Sequence, residues 1–238
     1  MEHRDIAVLM PAFGPNHTLN QLIAGLKQNG FERIVVIDDG SGARFAPVFN
    51  EAWLQGVRVL YHENHCGQGI AMKTGFTWIG YIDAPACIVC DCGRGHALYD
   101  VLDIAQALIG ARDALVLGAR GRRSMSVKSQ WDNIITGIKL ALRSGVWIHD
   151  THAGIYGFDA RLCSAFKQLP GDRFDYELNM ISFAARNQIP IMQVPIQMTE
   201  AKHVRPTSTH ALRKMNPVKS IAAELTGYVR SFGDGQRL

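Results

Sequence analysis

No apolar run in this chain of 238 residues is long enough to span a membrane; the longest, such as Ile34 to Ile37 and Ala114 to Leu117, are strand-sized. The first residues, MEHRDIAVLM, place charges of both signs before a short apolar stretch, which is not the pattern of a secretory leader. Cysteine is scarce. Of the five, three crowd into Cys87, Cys90 and Cys92, so a disulfide framework is not expected and a reducing compartment is. Strand alternation would point Cys87 and Cys90 to opposite faces, and no second Cys or His pair has zinc-ligand spacing, so core cysteines are expected. Two nucleotide fingerprints are also missing: Gly67, Gly69 and Gly75 are not spaced as G-x-G-x-x-G, and there is no Walker loop. Charge of one sign is not in excess either. A net charge of +4 suits an anionic ligand or a membrane surface but gives no reason to expect nucleic acid.

What is present is an ordinary globular composition, 47% apolar and 19% charged, at a length that suits one α/β domain with extra connections. Ile6 to Met10 reads as a strand. A helix with Leu19, Leu22, Ile23 and Leu26 on one face follows, capped by Asn16 or Thr18 and closed by Asn29-Gly30. Ile34 to Ile37 is a second buried strand, giving a β-α-β unit and a mostly parallel sheet. Further expectations are a helix over Ala46 to Gln55, a strand over Val57 to Tyr61 and a helix from about Ile70. A central strand over Ala86 to Cys90, with Ile82 before it, a helix over Leu98 to Ile109 and a strand over Ala114 to Leu117 come next. A long helix over Gln130 to Arg143, strand and loop over Ile148 to Phe158, a helix over Phe174 to Arg186 and a strand over Ile191 to Met198 complete the series. Past Glu200 the chain turns basic and polar, and Met215 to Phe232 has the spacing of an amphipathic helix, either resting on a membrane or partner or capping the core.

Four strands end in polar punctuation: PAFGPN, DDGSG, NHCGQG and DCGRGH. In an open α/β sheet, ligands bind beyond such carboxyl edges. Paired aspartates there can accept hydrogen bonds from a nucleobase or ribose, glycines allow close backbone approach, and a helix start offers N–H groups to an anion. Histidines 62, 65 and 96 read as surface or packing residues rather than ligands.

The collinear segments VLMPAFGPN, IVVIDDGSG, ENHCGQGIAMKTGF, CDCGRGH, LVLGARGRRS, HDTHAGIYGFDA, GDRFDYELNM and IMQVPI resemble family 2 glycosyltransferases, and most closely the polyprenyl-phosphate sugar synthase branch that includes dolichyl-phosphate mannose synthase. The resemblance covers about residues 6 to 213 and implies a GT-A fold, a nucleotide half and an acceptor half sharing one sheet with helices on both faces. Residues 214 to 238 would form a C-terminal helix and tail.

The resemblance also implies roles. Pro11, Ala12 and Phe13 match the loop that stacks on the donor base, and Asp39, with Asp38 beside it, matches the acid that hydrogen-bonds it. Gly67, Gly69 and Lys73 would line the nucleotide. Arg120 matches a phosphate-binding arginine, and Arg122 and Arg123 would meet the acceptor phosphate. Asp150, Thr151 and Gly154 match an acceptor-side loop, and Glu177 a buried acid there. Arg205, His210 and Arg213 fall where relatives carry a loop that closes over the donor. The implied activity is transfer of a sugar from a UDP or GDP donor to a polyprenyl phosphate or another cell-envelope acceptor. It would take place in the cytoplasm, with docking at the inner face of the membrane in view. A phosphate acceptor is already an anion and needs no general base; a hydroxyl acceptor would need one, and Asp150 and Glu177 are the candidates, unless they are structural carboxylates.

One departure stands out. The family pattern has a second acid two residues after the first, and a further polar ligand. Here Asp91 and His96 remain, but Gly93 and Gly95 occupy the other positions. A hard divalent cation wants several oxygen ligands. Three readings stay open: magnesium or manganese held weakly by Asp91 with diphosphate and water, Arg94 as a fixed cation in its place, or a degenerate transferase that binds a nucleotide or partner without turnover.

Overall fold

The computed structural model describes residues 1–91, 98–111, 113–120, 137, 148, 150 and 154–197. Its centre is β1, Ile6–Ala12, buried along its whole length. A strand covered on both faces reads as a continuous apolar run rather than an alternating one, which is the pattern of IAVLMPA. Beside it lie β2, Arg33–Asp38, and β4, Ala86–Cys90, both parallel to it; β3, Arg58–Tyr61, adds in parallel to β2. The other half holds β5, Leu115–Arg120, β6, Ile155–Asp159, and β7, Ile191–Ile196, for an order β3-β2-β1-β4-β6-β5-β7.

Alternation along the strands divides the core. Val8, Met10, Val36, Ile88 and Cys90 face one layer, formed by α1 (Thr18–Gln28), α2 (Ala46–Leu54) and α4 (Leu98–Gly110). Ala7, Leu9, Val35, Ile37, Cys87 and Val89 face the other, formed by α3 (Gln68–Ile79), α5 (Leu162–Lys167) and α6 (Phe174–Arg186). The cysteines therefore separate to opposite faces, as their spacing requires, and all four described are free thiols.

Differences from the sequence expectations are local. Ile82 lies outside β4, in the turn before it. The helix after the third strand begins at Gln68, two residues ahead of Ile70, because Gly67 supplies its start. The helix over Leu162–Lys167 went unread: six residues are too few for a period to show. β6 is antiparallel to both neighbours, Cys90 pairing with Ile155 and Ala86 with Asp159. That reversal matters to the site. It brings the start of β6 to the same edge as the ends of β1, β2, β4 and β5, and the Asp91 N–H donates to the Gly154 carbonyl across it at 2.9 Å. The helices expected over 130–143 and 215–232, and the boundary at residue 213, fall outside the described residues (Gly137 apart).

Candidate functional site

Neighbouring acids at the end of β2 do different work. Asp38 Oδ1 accepts the Ser41 N–H at 2.8 Å and so shapes its own turn. Asp39 turns inward, 2% exposed, and holds the loop that precedes α3. Its Oδ1 accepts the Cys66 N–H at 3.0 Å and a hydrogen from His62 Nδ1 at 2.7 Å. Its Oδ2 accepts the Gly67 N–H at 2.8 Å and meets His65 Nδ1 at 2.8 Å. A carboxylate only accepts, so His62 presents an Nδ1–H to it. His62 is anchored on its far side too, its Nε2 lying 2.9 Å from Thr74 Oγ1. At the mouth, the Phe13 ring is half exposed and lies against His65, centroids 4.0 Å apart and planes inclined by 31°. Gly40, at φ +73°, lets this loop close down: a Cβ there would run into the backbone of Asn64 and His65.

The loop is also stitched to α6. Gly67 caps α3 at φ +104°, and the Gly69 N–H, which a helix start would leave for an anion, donates to the Asp172 carbonyl at 2.8 Å. Lys73 Nζ donates to the Gly171 carbonyl at 2.8 Å and sits 5.0 Å over the Tyr176 ring. Gln68 Nε2 donates to Glu177 Oε1 at 2.9 Å, and Glu177 is 1% exposed. Through these bonds Gly69 and Lys73 hold α3 against the segment that leads into α6.

Arg120 and Asp150, given separate tasks by the family pattern, form one buried pair. Arg120 Nε and its own backbone N–H donate to Asp150 Oδ2 at 2.7 and 3.0 Å, and Nη2 donates to Oδ1 at 2.9 Å. Asp150 thus has the backbone-bonded geometry of a structural carboxylate. Asp91 stands at the end of β4, half buried. Arg94, His96, Arg122, Arg123, Thr151, Arg205, His210 and Arg213 lie outside the described residues. His62 and His65, read from the sequence as surface or packing residues, both lie against Asp39, and the fully buried Asp100 of α4, unread there, accepts the Gln197 N–H at 2.8 Å. The HENH run between a strand and a helix was the signal for the first two.

The chain matches the model of Glycosyl transferase family 2 over residues 7–169. It belongs to that family. Among curated relatives it is 22% identical to an uncharacterised protein of Methanocaldococcus jannaschii, with 87% of each chain covered. It is 20% identical to the UDP-N-acetylglucosamine–dolichyl-phosphate N-acetylglucosaminyltransferase of Methanococcus voltae, covering 89% of this chain and 92% of that one. Among solved structures, glucosyl-3-phosphoglycerate synthase of Mycobacterium tuberculosis with Mn2+, UDP and glucosyl-3-phosphoglycerate aligns at TM-score 0.64 and 16% identity, covering 95% of this chain and 78% of that one. The same enzyme with Mg2+ and UDP aligns at 0.63 and 18%, covering 84% and 72%. This chain shares the α/β GT-A fold of these structures.

The donor atoms present here match the divalent ion of those structures poorly. Beyond β4 the chain offers the Asp91 carboxylate, followed by two glycines where a second acid and a polar ligand would stand. That is a poor cage for a hard cation. Among the described residues, one cluster has ligand atoms close enough for a metal, Asp39, His62 and Cys66, all within 4.8 Å. Its nitrogen and sulfur donors suit a softer ion, and Asp39 already accepts three hydrogen bonds from its own chain. The Asp91 carboxylate alone would be a weak ligand for Mg2+ or Mn2+, the ions that the solved structures hold beside UDP.

Proposed function

We propose that this family 2 chain binds a UDP or GDP sugar and transfers the sugar to a polyprenyl phosphate or another cell-envelope acceptor. The observation that carries the donor half is the cradle of Asp39 and Phe13: a buried carboxylate and an exposed aromatic ring at one sheet edge. A base laid on Phe13 would offer its edge N–H to Asp39. The acceptor half rests on less, a 20% identical relative whose name specifies dolichyl phosphate. The reaction would be a single displacement at the anomeric carbon. The acceptor oxygen forms the new bond, the bond to the diphosphate breaks, and the nucleoside diphosphate leaves with the electron pair. Asp91 lies where the diphosphate would rest, with Arg94 close to it in sequence as a cation for the leaving group, and an ionised acceptor phosphate asks for alignment rather than a base.

The missing acid favours a second reading, a non-catalytic nucleotide binder on the same fold. Calorimetric titration with UDP- and GDP-sugars, with manganese or with EDTA, followed by assay with a short polyprenyl phosphate, separates them. Binding with product release supports the transferase, and binding without turnover leaves the second reading standing. Binding to neither sugar nucleotide refutes both. Binding that persists in EDTA and is lost in Arg94→Ala would give the cation role to Arg94. A lipid acceptor requires the chain to meet a bilayer, and none of the described helices is long and apolar enough to cross one. Flotation with anionic liposomes tests this, and no association by the full chain argues against a lipid acceptor.

A further inference from the structure

Asp39, the acid given to the donor base, is already engaged, and the engagement has the form of a base. His65 presents a flat heteroaromatic ring to Phe13, centroids 4.0 Å apart, and its Nδ1 meets Asp39 Oδ2 at 2.8 Å. A flat ring against Phe13 and a ring nitrogen beside the carboxylate are what a uracil or guanine would supply in the same place. The two imidazoles on Asp39 differ in how firmly they are held. The His62 side chain is 13% exposed and fastened at both nitrogens, to Asp39 and Thr74, which makes it part of the wall. The His65 side chain is 45% exposed and lies at the mouth with the exposed Phe13. It has somewhere to go.

We infer that His65 stands in for the nucleobase in the free protein and swings out when a donor binds, so that it sets the threshold affinity and the preference of the site. This rests on the reading of Asp39 and Phe13 as the base cradle. When the binding-competent state is only a fraction of the population, the apparent dissociation constant rises by the inverse of that fraction. A ligand must therefore replace both the ring contact with Phe13 and the contact with Asp39 to enter at low concentration. Diphosphate or ribose phosphate alone, which touch neither Phe13 nor Asp39 in this arrangement, would leave His65 in place.

Calorimetry with UDP, GDP and inorganic pyrophosphate on the full chain and on His65→Ala tests this. The expected result is tighter UDP or GDP binding in the variant, by roughly tenfold if a tenth of the free protein is open, with pyrophosphate unchanged. His65 is exposed, so the variant should fold, and a matching circular-dichroism melt checks it. A second readout uses the wild-type protein alone. The 15N resonances of the His65 ring, whose Nδ1 lies beside Asp39 in the free protein, should shift on saturation with UDP, while those of His62 hold. Unchanged or weaker nucleotide binding in His65→Ala, or a His65 resonance indifferent to UDP, overturns the inference and spares the donor site. Failure of both proteins to bind any nucleotide overturns the donor site, and this inference with it.

Discussion

Phe13 illustrates how much one side chain can carry at this edge. It is exposed, packs on nothing in the core, and its ring serves His65 in the free protein. Base–aromatic stacking is worth about 1–3 kcal/mol. Phe13→Ala made in the His65→Ala background should therefore weaken UDP binding by a factor of roughly 5 to 150. Made alone it should cost less, because the same truncation also loosens the placeholder. The two substitutions would not add, and a double-mutant cycle on UDP affinity measures the coupling. Additive losses would mean that Phe13 touches the base and His65 does not compete for it. Neither change should move the melting temperature much, since both rings face solvent.

At the scale of elements, Arg120 and Asp150 tie the end of β5 to the segment that leads into β6. Both are buried, the side chains 5% and 0% exposed, so neither charge has water to fall back on. Breaking a buried pair of this kind from one side costs about 3–5 kcal/mol. Asp150→Ala should show that loss in urea denaturation. If stability is unchanged while turnover disappears, Asp150 is a reacting group and not a strut. This pair also marks what could be read in advance. Single strands and helices were legible because each carries its own period: the alternation of Cys87 and Cys90 to opposite faces follows from the strand alone. The antiparallel insertion of β6 was not, since a strand buried on both faces has the same composition in either direction. Nor was the pairing of Arg120 with Asp150, thirty positions apart, which depends on that insertion. His62 and His65 read as surface or packing histidines, and the loop that carries them folds both back against Asp39.

Across the whole molecule, ionisable groups with no evident part in sugar transfer are sealed into the two cores. Burial, with a hydrogen bond to Cys163, pushes the Cys87 thiol well above its ordinary 9.0 on one face of the sheet. Burial, with the charges of Asp91 and Asp100 nearby, raises Cys90 on the other. Burial also raises the Tyr176 hydroxyl, the nearby Cys163 adding to it, and that hydroxyl donates to the Phe166 carbonyl at 2.7 Å. Each group is held protonated in the folded chain but ionises near its ordinary value once unfolded. The unfolded state then binds fewer protons, so the contribution to stability is intact below about pH 9 and drains away as pH rises past about 9 and 10. Each group adds a slope of up to ~1.4 kcal/mol per pH unit in that window. Urea midpoints taken from about pH 8 to 10.5 should therefore fall for the wild-type chain. The fall should be visibly shallower for Cys87→Ala with Cys90→Ala, even though that variant starts lower at the neutral end through its two small cavities. Other groups that titrate there, the lysines above all, are common to both proteins and cancel in the difference. Parallel curves would show that the two thiols reach water in the folded chain, which would contradict a strand β4 buried along both faces.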